Sequence, residues 1–136
     1  MKIALAQINP VIADIDGNRQ RIIDCIENAR RSGAELVVFP EMSTIGYPPM
    51  DLLENRKLID DNLHSIETIA RHSADIAVIA GYVDYDASRK PMLYNTAAFM
   101  KGGTIVSSHR KTLLPTYDVF DELRYFSPAP VQERIT

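Results

Sequence analysis

The stretch Leu36–Pro49, LVVFPEMSTIGYPP, decides how the rest of the chain is read. Its opening apolar run, Leu36 to Phe39, is too short for a helix and rich in strand formers, so it predicts a buried strand. Pro40 ends the run by fixing the backbone and removing a donor. Glu41 is the first charge beyond it, followed by a loop carrying Gly46, Tyr47, Pro48 and Pro49. Upstream, Ile3–Ile8 is another apolar run, closed by Asn9-Pro10, and predicts a second buried strand. After a turn region through Asp14, Asp16 and Gly17, Ile22, Ile23, Ile26 and Ala29 recur at helical spacing. Arg19, Arg21, Asp24, Glu27 and Arg30 turn elsewhere, and Gly33 stands where a helix C-cap belongs. Strand, helix and strand in this order form a βαβ unit, so these two strands are expected to be parallel neighbours.

Further on, Asp51 and Glu54 have capping-box spacing, with Asp in place of Ser or Thr. Ile59, Leu63, Ile66, Ile69 and Ala70 then mark a second amphipathic helix ending near His72. Ile76–Gly81 predicts a third buried strand. Lys90-Pro91 leads into Leu93–Met100, and Thr104–His109 follows across Lys101-Gly102-Gly103, so a hairpin is expected. From Leu114 on, Pro, Asp and aromatic residues dominate without a clear period, and Gln132–Thr136 do not read as a natural terminus. The order of elements is that of an α/β protein.

Composition narrows the classes of function. A chain of 136 residues with 46% hydrophobic and 24% charged side chains suits one soluble domain. A net charge of -3 argues against nucleic acid as a partner and gives no attraction to an anionic membrane. No apolar run is long enough to span a bilayer, and the N-terminus lacks a signal-peptide pattern. The single cysteine, Cys25, cannot form an internal disulfide, which fits a cytoplasmic protein. Lying between Ile22 and Ile26, it reads as a structural thiol. His64 and His72 share a helix without any metal-ligand pattern, so they read as surface histidines and no metal site is expected. Arg30-Arg31 reads as a solvated helix end, and Asp60-Asp61 as exposed helix surface.

Two residues stand where chemistry is expected. In open α/β architectures, ligands bind beyond the carboxyl ends of the strands, where Glu41 lies. A carboxylate partly withdrawn from water is a better general base, although the same position also suits a solvated capping group. Lys111 follows the last strand and precedes Leu113-Leu114-Pro115. A lysine buried there needs a carboxylate partner, and Glu41 is a candidate, while the triplet His109-Arg110-Lys111 reads equally as a surface patch.

The surrounding words tip this balance. FPEMSTIGYPPMDLL, residues 39–53, and HRKTLLPTYDVFDELRYF, residues 109–126, together resemble the nitrilase superfamily of carbon-nitrogen hydrolases. More narrowly, they resemble the N-terminal glutaminase domain of glutamine-dependent NAD synthetases. The resemblance runs from Lys2 to Phe126. It implies a four-layer α-β-β-α sandwich and a site of Glu, Lys and Cys. By resemblance, Glu41 is the general base, Lys111 stabilises the oxyanion, Glu122 positions that lysine, and Tyr47 and Tyr117 line a glutamine pocket. Asn95, in Tyr94-Asn95-Thr96-Ala97, matches a recurrent strand motif of the family and reads as structural.

The family's cysteine nucleophile lies downstream of the lysine motif and is not found in these residues. The expectation is therefore that residues 1–136 are the N-terminal half of a glutaminase domain, without the synthetase domain and inactive alone. Such a half would leave a sheet edge and apolar faces uncovered. For the parent, the resemblance implies glutamine as substrate and ammonia passed to a synthetase domain that amidates deamido-NAD. ATP and magnesium serve that second domain, no cofactor is implied for the glutaminase step, and a homo-oligomer is implied. The alternatives are a stand-alone amidase of the superfamily, or a non-catalytic binding or assembly module.

Overall fold

The computed structural model describes residues 1–88, 92–118 and 120–129. Lys90, Pro91, Val119 and Gln132–Thr136, which enter the expectations above, lie outside the described residues. In chain order the elements are β1 (Ile3–Leu5), α1 (Ile15–Arg31), β2 (Leu36–Val38), a 3-10 turn (Met50–Glu54), α2 (Arg56–Arg71), β3 (Ala77–Asp86), β4 (Met92–Lys101), β5 (Thr104–Arg110) and α3 (Glu122–Tyr125). One sheet runs in the order β1-β2-β3-β4-β5. The first three strands are parallel, as the βαβ reading requires, and β4 and β5 form the antiparallel hairpin.

Helices α1 and α2 cover one face of this sheet. Register places Val37 beside Val78, and Val78 beside Met100, with Ala80 opposite Ala98. These side chains pack against Ile22, Ile26 and Ala29 of α1 and Ile66, Ile69 and Ala70 of α2. Alternation along the strands sends Ile3, Leu5, Ile79, Ala97 and Phe99 to the opposite face. On that face Ile3 is 47% and Leu5 75% exposed. β1 is thus an edge strand with one open face, not the buried strand expected from its unbroken apolar run.

Two helix starts also differ from expectation. α1 begins more than a turn ahead of the first recurring isoleucine, because the Asp14 carboxylate accepts the Gly17 N–H at 3.1 Å and caps it. α2 is capped by Asn55, which accepts from Leu58 N–H at 3.3 Å, rather than by an Asp51–Glu54 box. Those two residues belong to the 3-10 turn, and Asp51 instead accepts a hydrogen bond from the Tyr125 hydroxyl. At the end of α1, Arg30 is no solvated charge. It pairs with Asp75 at 2.7 Å and Glu27 at 2.6 Å, and donates to the His72 carbonyl, tying α1 to the end of α2. Asp60 and Asp61 pair with Arg56 and Lys57 along α2.

The loop from Met42 to Gly46 is held from three sides by buried polar groups. Asn62 of α2 donates to the Val83 carbonyl at 2.6 Å and accepts from the Thr44 hydroxyl at 2.7 Å. Asn18 of α1 donates to the carbonyls of Val11 and Thr44. The Ser43 hydroxyl donates to the Gly81 carbonyl at 3.1 Å. A loop this enclosed needs such partners, since each buried polar atom left unpaired costs about 1–3 kcal/mol. Met42 and Ile45, fully buried, then pack with Ile59, Leu53 and Val83 in a second cluster.

Candidate active site

The described residues that could do chemistry meet on the open face of the sheet, beyond the ends of β2 and β5. Glu41 is delivered by β2: Phe39 N–H still bonds the Ile79 carbonyl at 2.9 Å, and Pro40 then ends the pairing. The next two residues lie directly on β3 at Gly81. A Cβ at Gly81 would stand 2.4 Å from the Met42 nitrogen and 2.8 Å from the Glu41 Cα. Only a residue without a side chain lets the loop come this close, and the closeness sets where Glu41 sits.

Lys111 is delivered by β5. Its N–H bonds the Asn95 carbonyl at 2.8 Å, extending the β4–β5 pairing by one residue. Strand alternation then divides the basic triplet. Arg110 pairs with Asp84 at 2.7 Å and lies over the Tyr94 ring, while His109 and Lys111 line a cavity on the other side. The surface-patch reading of the triplet therefore does not hold.

The Lys111 ammonium donates to Glu41 Oε1 at 2.8 Å and to Glu122 Oε1 and Oε2 at 3.2 and 3.1 Å. Glu41 and Lys111 are 70 positions apart in the chain. Glu122, at the start of α3, is 4% exposed and also accepts from the Tyr47 hydroxyl at 3.1 Å. Glu41 is 46% exposed at its side chain. The carboxylate withdrawn from water is thus Glu122, not Glu41 as expected, because α3 and the Tyr47 loop close over Glu122 while Glu41 faces the cavity. That cavity holds about 490 Å³ and is floored by Ile79, Ala97 and His109.

Asn95 completes the cluster. It is 3% exposed and donates from Nδ2 to Glu41 Oε1 at 2.5 Å, with a longer contact of 3.4 Å to Glu122 Oε2. The structural reading of Asn95 missed this. The available signal was an amide in the middle of an apolar strand run, where a polar side chain needs partners. Tyr117, expected in the pocket, is not brought to the ammonium. It is 69% exposed and stacks edge-on with Phe120. Cys25 is half-buried against the helix-face core, away from this cluster, and burial followed by the Asp24 charge pushes its thiol up. Among the described residues no cluster suited to a metal ion is found, and no helix is long and apolar enough to cross a membrane.

Comparison with known proteins fits this geometry. The sequence pattern of the carbon-nitrogen hydrolases matches residues 2–134. The chain belongs to the carbon-nitrogen hydrolase family. Within it, the chain is similar to the glutamine-dependent NAD(+) synthetase of Thermotoga maritima, with 38% identity over 130 residues. That match covers 94% of this chain and 22% of the Thermotoga protein. The solved structure of glutamine-dependent NAD+ synthetase from Acinetobacter baumannii superimposes with a TM-score of 0.86 at 38% identity, over 93% of this chain and 24% of that one. An amidase from Nesterenkonia sp. shares the fold, with a TM-score of 0.79 at 24% identity, over 96% of this chain and 49% of that one. The chain therefore spans less than a quarter of the length of the synthetases it matches. The α/β fold of the chain is of the nitrilase type, as its sequence implies.

The protons in the cluster are tightly held. Burial, then the bond to Glu122, pushes the Tyr47 hydroxyl up to about 12. Burial alone lowers the Lys111 ammonium, but its bonds to Glu41 and Glu122 outweigh this and raise it overall. Unfolded tyrosine and lysine titrate near 10 and 10.4, so the native state binds both protons more firmly. The stability this contributes is complete below about pH 10 and is lost as pH rises towards the folded values. Tyr82, by burial, and Tyr125, by its bond to Asp51, are raised as well, so the readout is a difference between two proteins. Tyr47→Phe should lose less stability than the parent between about pH 10 and about pH 12, measured as urea midpoints. Equal losses would separate Tyr47 from Glu122 in solution.

Proposed function

We propose that these residues form the N-terminal half of a glutaminase domain that releases ammonia from glutamine within a glutamine-dependent NAD synthetase. The observation that carries the reading is the ammonium of Lys111 held between Glu41 and Glu122 at the mouth of a cavity. Similarity to NAD synthetases over 93–94% of the chain supports the choice of glutamine over other amides.

In this proposal Glu41 takes the proton of a thiol supplied by chain outside residues 1–136, and the thiolate attacks the carboxamide carbon. The C=O π electrons move to oxygen, and Lys111, facing the cavity, stabilises that oxyanion. When the C–N bond breaks, the proton held by Glu41 goes to the leaving nitrogen, and ammonia departs. Water, deprotonated by Glu41, then cleaves the thioester to glutamate and restores the thiol. Glu122 keeps the ammonium in place, Tyr47 fixes Glu122, and Tyr117 lines the glutamine pocket from an outer position. The ammonia passes to a synthetase domain that uses ATP and magnesium to amidate deamido-NAD, in a homo-oligomer.

The test is ammonia release by the full-length gene product and by residues 1–136 alone. Release from glutamine by the first and none by the second supports the proposal. Turnover of other amides with glutamine untouched favours a stand-alone amidase, and turnover by residues 1–136 would place the nucleophile within them.

A further inference from the structure

We infer that Asn95 is a positioning residue that selects which oxygen of Glu41 accepts the proton. The inference rests on the reading of Glu41 as general base and goes beyond it. Both donors to Glu41 converge on one atom: Lys111 Nζ and Asn95 Nδ2 each bond Oε1, at 2.8 and 2.5 Å. Among the described residues no hydrogen bond reaches Oε2. An oxygen that already holds two donors, one of them cationic, has little lone-pair density left for a proton. Oε2 is then the basic atom, and the carboxylate cannot exchange its two oxygens without breaking both bonds.

Asn95 is well placed to impose this. It lies in β4, paired with Val83 of β3 on one side, and its own carbonyl holds the Lys111 N–H at 2.8 Å. Its Nδ2 also faces Glu122 Oε2 at 3.4 Å, so one amide group spans both carboxylates on one side while the ammonium spans them on the other. Among the described residues, the charged and titratable groups around Asn95 and Glu41 are Lys111, Glu122, Tyr47 on Glu122, and His109 in the wall of the same cavity. A buried amide suits this place because it donates without adding charge to a cluster with more carboxylates than cations. An aspartate there would offer an acceptor to two acceptors and repel both.

The experiment compares four full-length proteins with glutamine as substrate: the parent, Asn95→Ala, Asn95→Asp and Glu41→Gln. Asn95→Ala should lower kcat by about 10- to 100-fold, as expected when a base is free to turn away from its productive pose, with KM little changed. Losing a donor to the charged form should also move the acidic limb of its kcat profile to higher pH. Asn95→Asp, nearly the same size, should be slower than Asn95→Ala. A structural role alone would lower the folded fraction without moving the limb. If Asn95→Ala does not fold, Asn95→Asp is read against the parent in the same way. The inference is overturned if the variant that folds keeps its kcat and its acidic limb while Glu41→Gln is inactive. An active Glu41→Gln would instead overturn the assignment of Glu41 as base.

Discussion

In the full-length protein, Lys111→Met is expected to lower kcat and kcat/KM for glutamine together, by about 10²- to 10³-fold. This is the usual cost of removing one oxyanion donor, about 3–4 kcal/mol. The equal fall follows because the charge on the carbonyl oxygen exists only in the transition state, so KM carries little of the loss. Lys111→Arg should not restore the rate. A planar guanidinium cannot place one point charge between Glu41 and Glu122, which the ammonium does with contacts of 2.8 to 3.2 Å. Groups that act as a unit are not additive, so Lys111→Met combined with Glu41→Gln should be little slower than the slower single variant. Steady-state assays with ammonia detection check this. A rise in KM with kcat unchanged would mean that Lys111 only binds the substrate.

Gly81→Ala is expected to disturb stability and site together. The added Cβ has no free space, since it meets the backbone of Glu41 and Met42 at 2.4 to 2.8 Å. Backbone cannot swing aside as a flexible side chain does, and overpacking of this kind costs typically about 1–3 kcal/mol. The loop is also held by the Ser43 and Thr44 bonds to the Gly81 carbonyl, so it must move as a piece and carry Glu41 with it. A misplacement of about 1 Å can cost on the order of 10²-fold in rate. The expected result is a lower urea midpoint and a loss of kcat much larger than the loss of folded protein accounts for. A variant that is destabilised yet fully active per folded molecule would show that Glu41 is not located by its seat on β3.

These two residues show how differently the parts of the site could be read. Glu41 and Lys111 were legible because each directly follows a strand-like run, and a strand end is where an α/β sheet presents chemistry. Gly81 was legible only as the end of an apolar run, with no sign that a loop some forty positions earlier would rest on it. Asn95 was noticed but read as structural, since nothing local says what lies across the strand from an amide. Arg110 and Lys111, adjacent in sequence, go to opposite sides because of strand alternation. An uncovered apolar face was expected of a half-domain, but its location at Ile3 and Leu5 of the first strand was not. An unbroken apolar run looks the same on a central strand and on an edge.

The amino-acid order by itself determined the succession of the five strands and the two long helices, the parallel pairing of the first two strands, the hairpin and the family. These follow from short-range periodicity and from motifs that stay together along the chain. Only the tertiary structure decided that Glu122 rather than Glu41 is the shielded carboxylate, that Asn95 bridges both, and that Tyr117 stays apart. Burial and hydrogen-bond partnership are properties of the space around a side chain. That space is filled by segments tens of residues away, whose approach is settled by packing rather than by any local pattern.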